Sequence, residues 1–98
     1  MRYPAAGRDA GETPLSTVLF EIITPDRIIF SGQVQSLTLP GCEGELGILP
    51  GHAPMITCLK KGAVRVTDPQ GTVTTYACGG GTVEVLPQRV TLVTPTAI

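Results

Sequence analysis

Pro40-Gly41-Cys42-Glu43-Gly44-Glu45-Leu46-Gly47-Ile48-Leu49-Pro50-Gly51-His52-Ala53-Pro54 holds four glycines, three prolines, two carboxylates and the only histidine of a 98-residue chain. Glycine opens backbone conformations that other residues avoid, and proline closes most of them. So dense a mixture predicts a shaped loop rather than a regular strand or helix. On either side the chain reads differently. Thr17–Ile23 is β-branched and stops at Thr24-Pro25-Asp26, where proline presets a turn. Arg27–Phe30 follows and closes at Ser31-Gly32, and Gln33–Leu39 alternates apolar with polar residues. Beyond the loop, Met55–Leu59 is apolar and meets an expected stop at Lys60-Lys61-Gly62. Ala63–Thr67 alternates again, and Asp68-Pro69-Gln70-Gly71 has the composition of a four-residue turn into Thr72–Ala77. Gly79-Gly80-Gly81 marks a strand break, a bulge or a close backbone crossing. Val83–Val85, the turn Leu86-Pro87-Gln88 and Arg89–Thr94 complete the pattern.

No segment keeps a helical period for a helix's length without a glycine or proline. About nine to ten short strands with period-two patterning define an all-β fold, an antiparallel β-sandwich or flattened barrel. Residues 17–98 form its single domain, and the Gly- and Pro-containing arm 1–16 is read as disordered and outside the fold.

Composition narrows the chemistry. Net charge is −1 and charged residues make up 15%, with Lys60-Lys61 the only basic pair, so nucleic-acid binding and polybasic membrane attachment are not expected. No apolar run reaches the length of a membrane span. Cys42, Cys58 and Cys78 are odd in number and too widely spaced for a Cys-x-x-Cys unit. They are read as free thiols packing as small hydrophobes, with a metal site built from them and His52 as the minor alternative. His52 lies in a tight turn poorly suited to presenting a catalytic base. Glu43 and Glu45 lack the aromatic-lined cleft of a glycoside hydrolase, and Gly79-Gly80-Gly81 precedes no Lys-Ser/Thr or helix. No catalytic, metal or cofactor site is therefore expected. A small carbohydrate-type binding sandwich is the alternative function, weakened by a chain with only four aromatic residues, Tyr3, Phe20, Phe30 and Tyr76.

One resemblance extends along most of the chain. Phe30-Ser31-Gly32, the stretch Pro40-Gly41-x-Glu43-Gly44-Glu45-Leu46-Gly47-Ile48-Leu49-Pro50-Gly51-His52-Ala53-Pro54, Leu59-Lys60-x-Gly62, Gly80-Gly81 with Val83-Glu84-Val85, and Thr96-Ala97-Ile98 closely resemble the epsilon subunit of the bacterial F-type ATP synthase. The resemblance implies a β-sandwich without an active site. That domain sits at the foot of the central stalk between the gamma subunit and the membrane-embedded ring of c subunits, and turns with both. It would help couple proton or sodium flow through the ring to synthesis in the alpha/beta head. Carried onto this chain, Glu43, Gly44, Glu45 and Leu46 would meet the polar loops of the c ring, which carry a basic residue, with Glu45 foremost. Thr24, His52 and Thr57 would face gamma, while an internally hydrogen-bonded turn remains the other reading of His52.

The implied location is peripheral, on the cytoplasmic face of the bacterial inner membrane, with no lipid insertion and a monomer when isolated. Family members commonly continue into a helical hairpin that restrains ATP hydrolysis or binds ATP. The chain stops at Ile98, where that segment would begin, so neither property is expected of these residues.

Overall fold

Alternating side chains organise seven strands in the computed structural model, which describes residues 17–97. The expectation for residues 1–16 lies outside the described residues. The strands are β1 (Val18–Ile23), β2 (Ile28–Val34), β3 (Ser36–Gly41), β4 (Gly44–Ile48), β5 (Met55–Thr67), β6 (Val73–Leu86) and β7 (Arg89–Val93). Hydrogen bonding joins them in the order β2-β1-β7-β6-β5-β3-β4. Neighbours are antiparallel except β1 and β7, which run parallel from Leu19 opposite Arg89 to Ile23 opposite Val93.

The all-β sandwich expected from the patterning is the architecture observed, but with fewer and longer strands. Lys60-Lys61-Gly62 does not end a strand, and Gly79-Gly80-Gly81 does not break one. Leu59 stays opposite Gly81, and Lys61 opposite Gly79, in one continuous β5–β6 ladder. The first part of β5 and the last part of β6 pair on toward β7 and β1, while the last part of β5 pairs with β3. Both strands therefore bend at this point and belong to both layers. Glycine serves the bend and not a termination. Gly81 has φ near +130°, and a Cβ there would lie 2.1 Å from the Val93 carbonyl oxygen of β7. No side chain fits that approach.

A second difference lies within the opening stretch. Gly44–Ile48 is a regular strand, β4, paired with β3 from Gly41–Gly44 to Leu37–Ile48. Local composition argued for a loop; the neighbouring strand supplies the missing hydrogen bonds. β2 likewise passes through Ser31-Gly32, and the chain changes layers at Gln35, whose N–H donates to Thr67 O at 2.7 Å.

Between the layers lie the inward residues of every strand, with Phe20, Ile22, Leu37, Leu39, Ile48, Val64, Val83, Val85, Val90 and Leu92 essentially inaccessible. Full burial of an aliphatic side chain contributes about 1.5–3 kcal/mol. Phe20 stacks at an angle on Phe30 with centroids 5.9 Å apart, and Phe30 on Tyr76 of β6 at 5.8 Å, so three aromatics extend through one end of the core. Cys78, the free thiol, is buried there too, its Sγ–H donating to Gly80 O at 3.4 Å.

The turn at Asp68-Pro69-Gln70-Gly71 forms as expected. The Gly71 N–H donates to Asp68 O, and Asp68 Oδ1 accepts from the N–H groups of Gln70 and Thr72, all three at 2.9 Å. Asp68→Ala removes both side-chain bonds and is expected to cost about 1–2 kcal/mol, because acceptance by an ionised carboxylate exceeds a neutral bond. Urea unfolding should show most of that loss recovered in Asp68→Asn, which keeps the acceptor oxygen. Equal losses in both variants would assign the effect to something other than these bonds.

Candidate functional site

The candidate residues gather mainly at one tip of the sandwich. Cys42 and Glu43 form the two-residue turn joining β3 to β4, with Gly41 and Gly44 paired at its base. This is an edge of the sheet, since β4 pairs with β3 alone. Glu43, Gly44 and Glu45 are exposed, whereas Leu46 is half-buried and packs on the core. Glu45 does not stand alone. Arg65 of β5 donates from Nη2 to its Oε2 at 3.0 Å, with both side chains at least half exposed. A pair so open to water contributes about 0–1 kcal/mol. Its consequence is directional: it holds the Glu45 carboxylate against β5 without removing it from solvent.

The cysteines require a correction. Cys42 and Cys58 are joined in a disulfide, with Cα atoms 5.7 Å apart and a separation of 16 positions in sequence. Free thiols were expected because nothing local pairs them; the return of β5 past the β3–β4 turn brings them together. Closing a loop of this length stabilises a fold by roughly 3 kcal/mol in the chain-entropy view. Cys78 alone remains a thiol. Among the described residues no three His, Cys, Asp or Glu side chains gather as they would around a metal ion.

A shallow cleft of about 320 Å³ opens beside the disulfide, lined by Glu43, Gly44, Glu45, Leu46, Met55 and Thr57. Thr57 therefore sits with the acidic tip and not with the other two residues assigned to the same face. Thr24 is elsewhere, at the β1–β2 turn, where its N–H and Oγ1 both donate to Arg27 O at 2.9 and 3.0 Å. It borders a separate opening of about 480 Å³ with Asp26, Arg27 and Pro95. His52 occupies a third position. Its Nδ1 lies 2.7 Å from Ala53 O, which fixes the proton on Nδ1, and its N–H donates to Leu49 O at 3.2 Å. The adjacent Gly51 N–H reaches Pro87 O at 2.8 Å, tying this turn to the one between β6 and β7.

Three features of the surface were not anticipated from the residues alone: Arg65 beside Glu45, the disulfide, and an apolar flank near His52. Ile56 is 72% exposed, Leu49 64% and Leu86 38%. Ile56 lies opposite Glu84, and Leu86 follows two positions later on the same face of β6. The available signal was Met55-Ile56, apolar at consecutive positions. A strand facing water on one side alternates instead.

The described residues thus form a β-sandwich braced by one disulfide, with an acidic edge and an exposed apolar flank. The chain belongs to the family described as ATP synthase, Delta/Epsilon chain, beta-sandwich domain, which residues 17–98 match.

Two solved assemblies contain chains of similar fold. One is in the cryo-EM structure of the Euglena gracilis mitochondrial ATP synthase, OSCP/F1/c-ring in rotational state 1. It superposes with a TM-score of 0.81 at 24% identity over 100% of this chain, which spans 62% of that chain's length. Another is in the Tetrahymena thermophila mitochondrial ATP synthase, central stalk and c ring. There the TM-score is 0.68 at 14% identity, covering 88% of this chain and 69% of that one. At these identities the likeness is one of fold.

Proposed function

We propose that the chain is the non-catalytic, epsilon-type rotor domain of an F-type ATP synthase. In this role it joins gamma to the c ring and helps couple ion-driven ring rotation to synthesis in the alpha/beta head. The observation that carries the reading is membership of the delta/epsilon sandwich family across all the described residues. The solved relatives of the same fold come from ATP synthase assemblies that include the c ring. In this reading Glu43, Gly44, Glu45 and Leu46 meet basic loops of the ring, while Thr24, His52 and Thr57 contribute to the gamma side. Two placements support the assignment: the carboxylates project from an exposed edge, and the apolar flank at Leu49, Ile56 and Leu86 offers surface for a protein partner beside His52. The domain is peripheral, on the cytoplasmic face of a bacterial inner membrane, and binds no cofactor of its own.

Glu45→Lys tests the ring contact. Docking of the gamma-bound chain onto solubilised c ring should weaken about 5- to 10-fold at low salt, and the difference should shrink as salt rises. Gamma binding should be unchanged. Unaltered ring docking would remove Glu45 from the contact, and failure of the wild-type chain to bind gamma would remove the stalk reading itself.

A further inference from the structure

We propose that the Cys42–Cys58 disulfide is a redox-responsive clamp on the acidic tip, competent for docking when closed and loosened when reduced. This rests on the reading of that tip as the ring-facing contact.

Apart from the disulfide, few bonds tie the turn of the tip to β5. β3 pairs with β5 from Ser36–Thr67 to Thr38–Arg65, then loses register until Gly41 meets Leu59. Across that gap β3 advances three residues and β5 six, so β5 bows away at its bend. Beyond it, the tip is held to β5 by the Gly41–Leu59 pairing, one hydrogen bond from the Cys42 N–H to Cys58 O at 3.2 Å, the water-exposed Glu45–Arg65 ion pair, and the disulfide. β4 has no strand on its outer side. Leu39 and Ile48 anchor the base of the β3–β4 hairpin in the core, so opening the disulfide frees the exposed turn around Cys42, Glu43 and Gly44 and not the whole hairpin.

What the loop encloses is equally specific. Glu43, Gly44, Glu45, Leu46, His52 and Thr57 all fall between the two cysteines, so one bond constrains nearly every candidate contact residue. Both cysteines are exposed, and thiol attack requires access. Cys78 is buried, 4% exposed, and lies opposite Gly62 while Cys58 lies opposite Thr82. The third thiol is thus set apart from exchange, and opening and closing return to the same pair.

The chemistry needs a dithiol partner. A thiolate of that reductant attacks one sulfur of the bridge, forming a mixed disulfide and expelling the other cysteine as a thiolate that takes up a proton. The reductant's second thiolate then displaces the first cysteine, which is protonated in turn. Two electrons and two protons pass to the protein, and the reductant leaves as its own disulfide. A looser tip must be re-ordered on docking, so its affinity falls while the sandwich persists.

The test uses the full chain, bound to gamma for the docking arm, with dithiothreitol as the reductant. Alkylation under denaturing conditions should find one thiol in the oxidised chain and three after native reduction. Hydrogen exchange should accelerate at least about 10-fold at the turn around Cys42, Glu43 and Gly44 on reduction and stay unchanged in β1 and β7. Docking to c ring should weaken about 10-fold, recover on re-oxidation, and be weak and insensitive to dithiothreitol in Cys42→Ser/Cys58→Ser. Three thiols in the oxidised chain, resistance to native reduction, unchanged exchange, or equal ring docking by both forms each overturn the clamp. Ring docking by neither form overturns the stalk reading, and the clamp with it.

Discussion

Phe20→Ala will lower the free energy of unfolding by about 3–5 kcal/mol, the range for deleting an aromatic side chain from a closed core. Phe20 has no solvent exposure and lies inside β1, opposite Val90 of the parallel strand β7. Its ring also meets Phe30, which in turn meets Tyr76, so truncation opens a cavity and removes one end of an aromatic chain between the layers. Flanking strands on a two-layer sandwich cannot close such a gap without shifting their registers, and the cavity term should therefore persist. For a domain of this size the loss corresponds to a fall in Tm of roughly 15–30 °C. Phe30→Ala, at a half-buried position, should cost less than half as much. Thermal unfolding of the two variants checks the order, and a cost for Phe20→Ala near 1 kcal/mol would refute the core placement.

Gly81→Ala should be comparably severe for a different reason. Here one added methyl group, not a lost ring, is decisive. Its φ near +130° disfavours any side chain, and the new Cβ would fall against the Val93 carbonyl of the neighbouring strand. Backbone strain of about 1–3 kcal/mol adds to an overpacking cost of about 1–3 kcal/mol, giving a total of about 4 kcal/mol. The contrast residue is Gly47, where a Cβ would meet nothing within 4 Å, so Gly47→Ala should be close to neutral. Urea midpoints for the two variants separate the effects. Similar midpoints would mean that the close crossing of β6 and β7 does not constrain position 81.

Much of the sandwich was legible because alternation is a local signal. Val83 and Val85, or Val90 and Leu92, announce their buried face without reference to the rest of the chain, and Asp68-Pro69-Gln70-Gly71 announces its turn. The errors have the opposite character. Lys60-Lys61-Gly62 and Gly79-Gly80-Gly81 have turn composition, but they lie opposite one another in a ladder that bends, and that relation joins residues some twenty positions apart. Gly44–Ile48 is a strand because β3 lies beside it, not because its residues favour extension. The parallel pairing of β1 with β7 joins the two ends of the described chain and leaves no local trace.

The site divides in the same way. Glu43 and Glu45 could be singled out within one short stretch, whereas Arg65 and the partner of Cys42 become visible only once β5 has folded back. Three residues grouped by resemblance, Thr24, His52 and Thr57, occupy three separate surroundings in the fold. Resemblance transfers identity along the sequence; which residues are neighbours is decided by topology.

Because β5 and β6 each run through both layers, the two halves of the sandwich share unbroken backbone. A twisting force applied to one layer need not reach the other through side-chain packing alone. It travels along two peptide chains bonded edge to edge, and covalent geometry yields far less than packing does. In mechanical terms the domain is a folded strip, not a stack of two plates. Torsion passes from one layer to the other at the crease, where Lys60 and the three glycines lie.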